Sequence, residues 1–279
     1  MKTEAFSAFV KRLDDVIELN ADARTTVFAV REQLKAALRD PVFRVDCVER
    51  VIDTLEPAYS GPRFPKIHRD AARAYSIFIF YWPPGTVNEP HRHDHWTVTG
   101  VMHNTLQFCT YRADQSAAAG LIPEKQFDAA AGDVGYICTP CIHNVANVSQ
   151  ARSMSVHVFS HPQTARNTLD FPDYRLETAI AKPAPGPMGA PSESLRDDAL
   201  STCAQMLSEV REARTRGLLD RIFALGGLSA GLNSVKAMST FDPSHAAKKA
   251  RELASRMTGP RASELFRISD AVLHTGDPR

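Results

Sequence analysis

No run of about 18 consecutive apolar residues occurs in the 279-residue chain, so a membrane-crossing helix is not expected. An excess of one charge sign is missing too. Lys and Arg number 33 against 32 Asp and Glu, with no basic stripe or acidic block, so nucleic acid is not an expected partner. The opening residues, MKTEAFSAFVKRLDDV, mix acids and bases and hold no apolar centre. Export through a signal peptide is therefore not expected. Cysteine is scarce: Cys47, Cys109, Cys138, Cys141 and Cys203 make five. An odd count without an export signal suits free thiols in a reducing cytoplasm. No internal repeat is visible. What the chain does have is a hydrophobic fraction of 43%, enough for a core without staples, and ten histidines that concentrate between His68 and His161.

Four regions follow one another. In residues 1–57, Phe6, Phe9, Val10, Leu13, Val16 and Ile17 recur at three and four, as do Val27, Val30, Leu34 and Leu38, and then Val45, Val48, Val51, Ile52 and Leu55. Each set makes one apolar stripe on a helix, and Asp40-Pro41 breaks the second from the third. From 58 to 165 the runs are short and rich in aromatic and β-branched residues: 74–82, 96–102, 105–112, 134–138 and 153–160. Such strands, punctuated by glycine and proline, predict a sandwich or barrel. Residues 166–194 contain AKPAPGPMGAPSES and read as a linker or arm. In 195–279 a stripe of Leu195, Ala199, Cys203, Met206, Leu207 and Val210 predicts a helix ending near Gly217. Asp242-Pro243-Ser244 starts another, and Gly259-Pro260 separates it from a last helix that Gly276 stops. The simplest use of these stripes is helix packing, including a homodimer face.

The chemistry sits in two stretches. The first runs from Gly85 through His91-Arg92-His93-Asp94-His95-Trp96. Side chains alternate along a strand, so His91 and His93 share a face and can share a metal ion. His95 continues the alternation, as a fourth ligand, a pocket base or, more simply, a residue past the metal at the barrel mouth. The second stretch, Gly132 to Asn147, supplies a third imidazole, His143, three residues after Pro140. Cys138 and Cys141 form a C-x-x-C inside it. No helical pattern follows them, which favours a structural role over thioredoxin-like chemistry. A deaminase zinc site needs an upstream His-x-Glu, and His91-Arg92-His93 offers no Glu.

Together the stretches resemble the two cupin motifs. Gly85 with His91-x-His93 matches the first, and Gly132, Pro140, His143 and Asn147 match the second. The Glu usual in the first motif would fall near Thr97 or Val98 and is absent, and Asn104 stands for its closing glycine. A plain three-histidine set is similar to the cysteine dioxygenase type of thiol dioxygenase, including bacterial cysteine and 3-mercaptopropionate dioxygenases. Trp82-Pro83-Pro84-Gly85 looks like that family's Trp-x-x-Gly. His93-Asp94-His95-Trp96-Thr97-Val98-Thr99-Gly100 looks like its stretch after the second ligand. Ser155-Val156-His157-Val158-Phe159 sits where it carries Ser-x-His-x-Tyr. The resemblance covers about residues 60–162.

The resemblance implies a mainly β fold: a cupin jelly-roll barrel with N-terminal helices and a C-terminal helical extension. It implies Fe(II) on His91, His93 and His143, with about half of an octahedral ion's positions left open. The substrates implied are a small organic thiol and dioxygen, the product a sulfinic acid. Ser155 and His157 would take catalytic roles, while Arg63, Trp96, Phe159 and His95 would meet the substrate. An Arg in the region of Arg63, Lys66, Arg69 and Arg73 grips the substrate carboxylate in the family. Two departures stand out. Phe159 replaces the Tyr, and Val98 falls about where animal members carry a cross-linked Cys, so no cross-link is possible. Other metal-dependent cupin oxygenases or isomerases, and a regulatory cupin that binds a small molecule, are the rival readings.

Overall fold

The computed structural model describes residues 4–20, 22–55, 64–93, 95–114, 120–138, 141–161, 192–256, 262–263 and 266. The chain divides into two compact units, Met1–Ala190 and Pro191–Arg279. None of the described helices is long and apolar enough to cross a membrane.

The first unit opens with α1 (Glu4–Leu19), α2 (Ala23–Leu38) and α3 (Pro41–Leu55). The three- and four-spaced residues are the buried ones: Phe6, Phe9 and Leu13, then Val27, Val30 and Leu34, then Val48, Val51 and Ile52. Asp22 caps α2, its Oδ1 accepting from Thr25 N at 2.9 Å. Asp40 does the same for α3 by accepting from Val42 N at 2.9 Å, with Pro41 in the first turn, where a missing N–H costs nothing.

Among the described residues nine strands follow: β1 (Lys66–Asp70), β2 (Tyr75–Trp82), β3 (His91–Arg92), β4 (Thr97–His103), β5 (Thr105–Ala113), β6 (Leu121–Ala130), β7 (Val134–Ile137), β8 (Ile142–Ala146) and β9 (Ser153–Ser160). They form a five-stranded sheet, β1-β2-β9-β4-β7, and a four-stranded sheet, β3-β8-β5-β6. Every pairing is antiparallel. The sheets meet through Phe78, Phe80, Trp82, Val101 and Phe159 of the first and Leu106 and Val145 of the second. The other face of the first sheet lies under the helices, α2 on β4 and β7 and α3 on β1. That double cover buries every residue of β2 and β4, and β2 accordingly reads as a nearly continuous apolar run. Gly100 allows the close approach of α2: a Cβ there would come 2.5 Å from Leu38 Cδ1 and 3.2 Å from Leu34 Cδ2.

A mainly β closed barrel was the expectation, and the structure corrects it. Among the described residues no strand joins the two sheets, and seven helices hold more of the chain than nine strands. The architecture is mixed α and β. Strand spacing counts strands, but whether sheet edges meet depends on twist and register, which spacing does not carry. Strand β6 escapes sequence reading for another reason. Its LIPEKQFDAA lies at a sheet edge and is largely exposed, so Pro123, Glu124 and Lys125 are tolerated there.

Among its described residues the second unit holds α4 (Ser192–Leu207), α5 (Thr215–Leu225), α6 (Leu228–Ser239) and α7 (Pro243–Ser255). The expected long helix to Gly217 is in fact two: α4 stops at Leu207, and α5 takes Gly217 inside it. The start at Asp242-Pro243 is as expected, with Asp242 Oδ1 accepting from His245 N at 3.0 Å. Helix α6 packs on α4, α5 and α7, and Leu200, Cys203, Leu207, Leu219, Ile222 and Met238 are buried in this unit. The linker reading for 166–194 and the end of the last helix fall almost wholly outside the described residues.

Candidate metal centre

Two turns and one asparagine bring the motif stretches together. Gly85 (φ 74°) and Gly132 (φ 96°) adopt left-handed backbone that side chains with a Cβ avoid. Gly85 N donates to Asn147 O at 2.9 Å, and Asn147 N donates to Thr86 O at 2.8 Å. Asn147 is buried, and its Nδ2 donates to Trp82 O (2.7 Å) and Ala151 O (2.8 Å). This latch ties the start of the first stretch to the end of the second. Asn104 also has positive φ, 59°, in the turn from β4 to β5. Asparagine tolerates that backbone best after glycine, which explains why it can stand at the closing-glycine position. Pro140 lies outside the described residues.

Strand β3 then pairs with β8 so that His91 sits opposite His143. His93 follows just after β3. The three side chains each bring a nitrogen within 4.8 Å of the others. The Nε2 atoms of His91 and His93 are 3.1 Å apart. His91 Nδ1 donates to Glu89 O at 2.9 Å, which leaves its Nε2 lone pair for the cluster. His93 Nδ1 lies 3.0 Å from Thr97 Oγ1. His143 Nδ1 is buried without a hydrogen bond of standard geometry.

Burial keeps all three rings neutral. It lowers the pKa of His91, lowers that of His93 to about 3 with the help of neighbouring His91, and holds His143 well below the ordinary value, where His91, His93 and His157 add to the effect. Neutral imidazoles converging on one point are what a divalent transition ion takes as ligands. Two imidazole nitrogens at 3.1 Å fit such an ion.

The same shifts set a stability profile. Below the ordinary pKa of 6.5 an unfolded chain protonates His93, while the folded chain does so only near 3. The metal-free protein should be most stable above pH 6.5 and lose stability as the pH falls from there toward about 3. Melting temperatures of metal-free protein from pH 7.5 down to 4 check this; a flat profile would mean that the rings are not buried as described. Metal should move the loss to lower pH.

The imidazoles line a cavity of about 290 Å3, part of it open to solvent, together with Asn88, Thr97, Thr99 and His157 and an apolar wall that includes Phe80, Phe108, Val145 and Phe159. No carboxylate is among its described lining side chains. Strand alternation puts Ser155, His157 and Phe159 on one face of β9, but only His157 and Phe159 reach the cavity. Ser155 stands behind them: Trp82 Nε1 donates to its Oγ at 2.8 Å, and that oxygen lies 2.8 Å from His157 Nε2. His157 Nδ1 is 2.9 Å from Thr99 Oγ1. Both nitrogens of His157 are thus taken, and burial holds its pKa well below 6.5. Phe159 lies nearly parallel to His93 (5.4 Å, 8°) and to His157 (5.6 Å, 7°).

Other expected site residues fall elsewhere. His95 and Trp96 do not line the cavity. Regular strand ends at Arg92, so the alternation that would aim His95 inward stops before it. His95 instead lies near His161, with Lys66 and Arg69, and Trp96 offers its carbonyl to Ser160 N at 3.1 Å. Arg73 pairs with Asp70 at 2.8 Å and with Glu18, away from the cavity. Arg63 lies outside the described residues. Sequence reading missed Asn88, Thr97, Thr99 and Phe108. The alternating hydroxyls of Thr97-Val98-Thr99 on a buried strand were the available signal, because a polar face there needs partners.

No family model matches the chain, and no curated protein does. Solved structures give partial likenesses. Oxalate decarboxylase of Lactobacillus farciminis, in its formate complex, is 23% identical with a TM-score of 0.27 over 32% of this chain and 25% of that one. Oxalate oxidase in complex with the substrate analogue glycolate is 22% identical, with a TM-score of 0.26 over 31% and 42%. A cupin 2 conserved barrel domain protein from Salinispora arenicola is 17% identical, with a TM-score of 0.26 over 32% and 64%. Each overlap spans less than two thirds of the other protein, and overlaps at these scores are too partial to assign the chain to a family.

Proposed function

We propose that the chain is a mononuclear non-haem iron enzyme of the cupin type, a thiol dioxygenase that turns a small organic thiol into its sulfinic acid. The observation that carries this reading is the donor set: three neutral imidazoles, two of them buried and His91 half-buried, and no carboxylate among the described side chains around them. A ferrous ion on His91, His93 and His143 would supply a centre where a thiolate and dioxygen react, RSH + O2 → RSO2H, with the thiol as the source of electrons. The chain's own groups do the rest. The aromatic wall of Phe80, Phe108 and Phe159 excludes water and holds the apolar part of the substrate. His157, fixed at both nitrogens, holds that wall in place rather than exchanging protons with solvent. Lys66 and Arg69 of β1, which lie near His161 just after β9, suit the acid end of a thiol longer than cysteine.

The test is the metal that copurifies, followed by oxygen uptake of anaerobically iron-loaded protein given a broad panel of thiols and their matching alcohols. Uptake is expected with at least one thiol and none of the alcohols, in about one-to-one ratio with sulfinate. Uptake with a non-thiol compound and with no thiol would sink the reading.

A further inference from the structure

Strand β4 is buried along its whole length, yet it presents two hydroxyls, Thr97 and Thr99, to the cavity. Val98, on the opposite face, is fully buried. A strand covered on both faces is ordinarily apolar on both. The hydroxyls are explained by what they touch. Each lies within hydrogen-bond distance of the Nδ1 of one imidazole, Thr97 of His93 at 3.0 Å and Thr99 of His157 at 2.9 Å.

We propose that Thr97 is a positioning residue for the metal centre, fixing the tautomer of His93 and keeping the centre's ligand set free of anionic charge. This rests on the reading of His91, His93 and His143 as metal ligands. His93 Nε2 faces His91 Nε2 across 3.1 Å, so Nε2 is the nitrogen that joins the cluster. For Nε2 to offer its lone pair, Nδ1 must carry the proton, and Thr97 Oγ1 must accept it. His91 is oriented in the same way, by the Glu89 carbonyl. Both acceptors are neutral. A carboxylate at either place would draw the Nδ1 proton toward itself and make the ring a stronger, more anionic donor. With a hydroxyl and a carbonyl instead, a divalent ion keeps its full positive charge toward whatever binds next, which favours an anionic partner such as a thiolate.

Thr97 also fixes the plane of the His93 ring, and the aromatic stack depends on that plane. Phe159 lies within 8° of parallel to His93 and within 7° of parallel to His157. Thr97 and Thr99, two residues apart on one face, set the two imidazoles against which that single ring rests. Losing the hydroxyl at position 97 while keeping the shape should therefore disturb the metal site before it disturbs the fold.

The test is titration of metal-free protein with Co(II), reading the dissociation constant and the visible ligand-field bands, for wild type, Thr97→Val, Thr97→Ser and His143→Ala. Thr97→Val keeps the branched shape and should weaken Co(II) binding by about 10–100-fold and shift the bands. Thr97→Ser keeps the hydroxyl and should restore both to near wild type. Wild-type affinity and bands in Thr97→Val would overturn the proposal. Should Thr97→Val fail to fold, Thr97→Ala removes the same hydroxyl with no loss of meaning. His143→Ala separates the two ideas: undiminished Co(II) binding there overturns the three-imidazole reading itself, whatever Thr97 does.

Discussion

Alanine at position 143 is expected to leave the chain without stoichiometric iron and without metal-dependent turnover. His143 is 4% exposed and sits opposite His91 across the β3–β8 pair, where burial holds its pKa well below the ordinary value. Removing it leaves two imidazoles, and a two-ligand site rarely retains a ferrous ion against water. The loss should also show in stability. A ligand at about 100 times its Kd adds roughly 2.7 kcal/mol to the folded state, so iron should raise the melting temperature of wild type and not of His143→Ala. Iron content after gel filtration is the direct measurement, and full occupancy in His143→Ala would remove the metal assignment. His95→Ala makes the contrast. Its ring lies near His161 and not in the cluster, so its iron content should match wild type. Loss of iron in that variant would mean that the register of ligands is shifted by two.

The site was more legible in the sequence than the architecture around it. His91, His93 and His143 are local facts: a two-residue spacing and a second stretch with its own glycine and asparagine. The backbone that joins them is also encoded locally, in the positive-φ turns at Gly85 and Gly132 and the hydrogen bonds of Asn147. The helices at 4–55 were legible because each carries an apolar stripe at three and four, although α3 buries Asp46 and Glu49 as well. What the sequence did not carry is long-range. Closure of the barrel depends on how sheet edges meet, and the exposed β6 has none of the apolar alternation that marks a half-buried strand. His95 is absent from the cavity's lining for a reason just as physical: alternation holds only while the chain stays in strand, and that ends at Arg92. Thr97 and Thr99 were passed over because threonine in a strand is ordinary; only the imidazole on each hydroxyl makes it meaningful.

Exchanging Phe159 for tyrosine is expected to reorder the thiols that the protein accepts. The phenyl ring is 2% exposed, lines the cavity, and touches Phe78 edge-on at 5.6 Å while lying along His93 and His157. As it stands, it offers apolar surface, worth about 1–3 kcal/mol to an apolar substrate group, and no donor. A cysteine-like substrate lacks a hydrogen-bond partner there, at a cost of about 0.5–1.5 kcal/mol, and more if the bond is charge-assisted. Free cysteine should accordingly be a poor substrate of wild type, and a bulkier or less polar thiol a better one. In Phe159→Tyr the added hydroxyl should shift relative kcat/KM toward small polar thiols by roughly two- to twelvefold, the same free energies written as ratios. The hydroxyl enters a packed layer, so stability should fall by about 1–3 kcal/mol unless it meets a partner. Oxygen-uptake kinetics of both proteins across one thiol panel decide the matter. If wild type turns over cysteine best, or if Phe159→Tyr leaves the ranking unchanged, the ring at 159 shapes the stack of imidazoles and does not select the substrate.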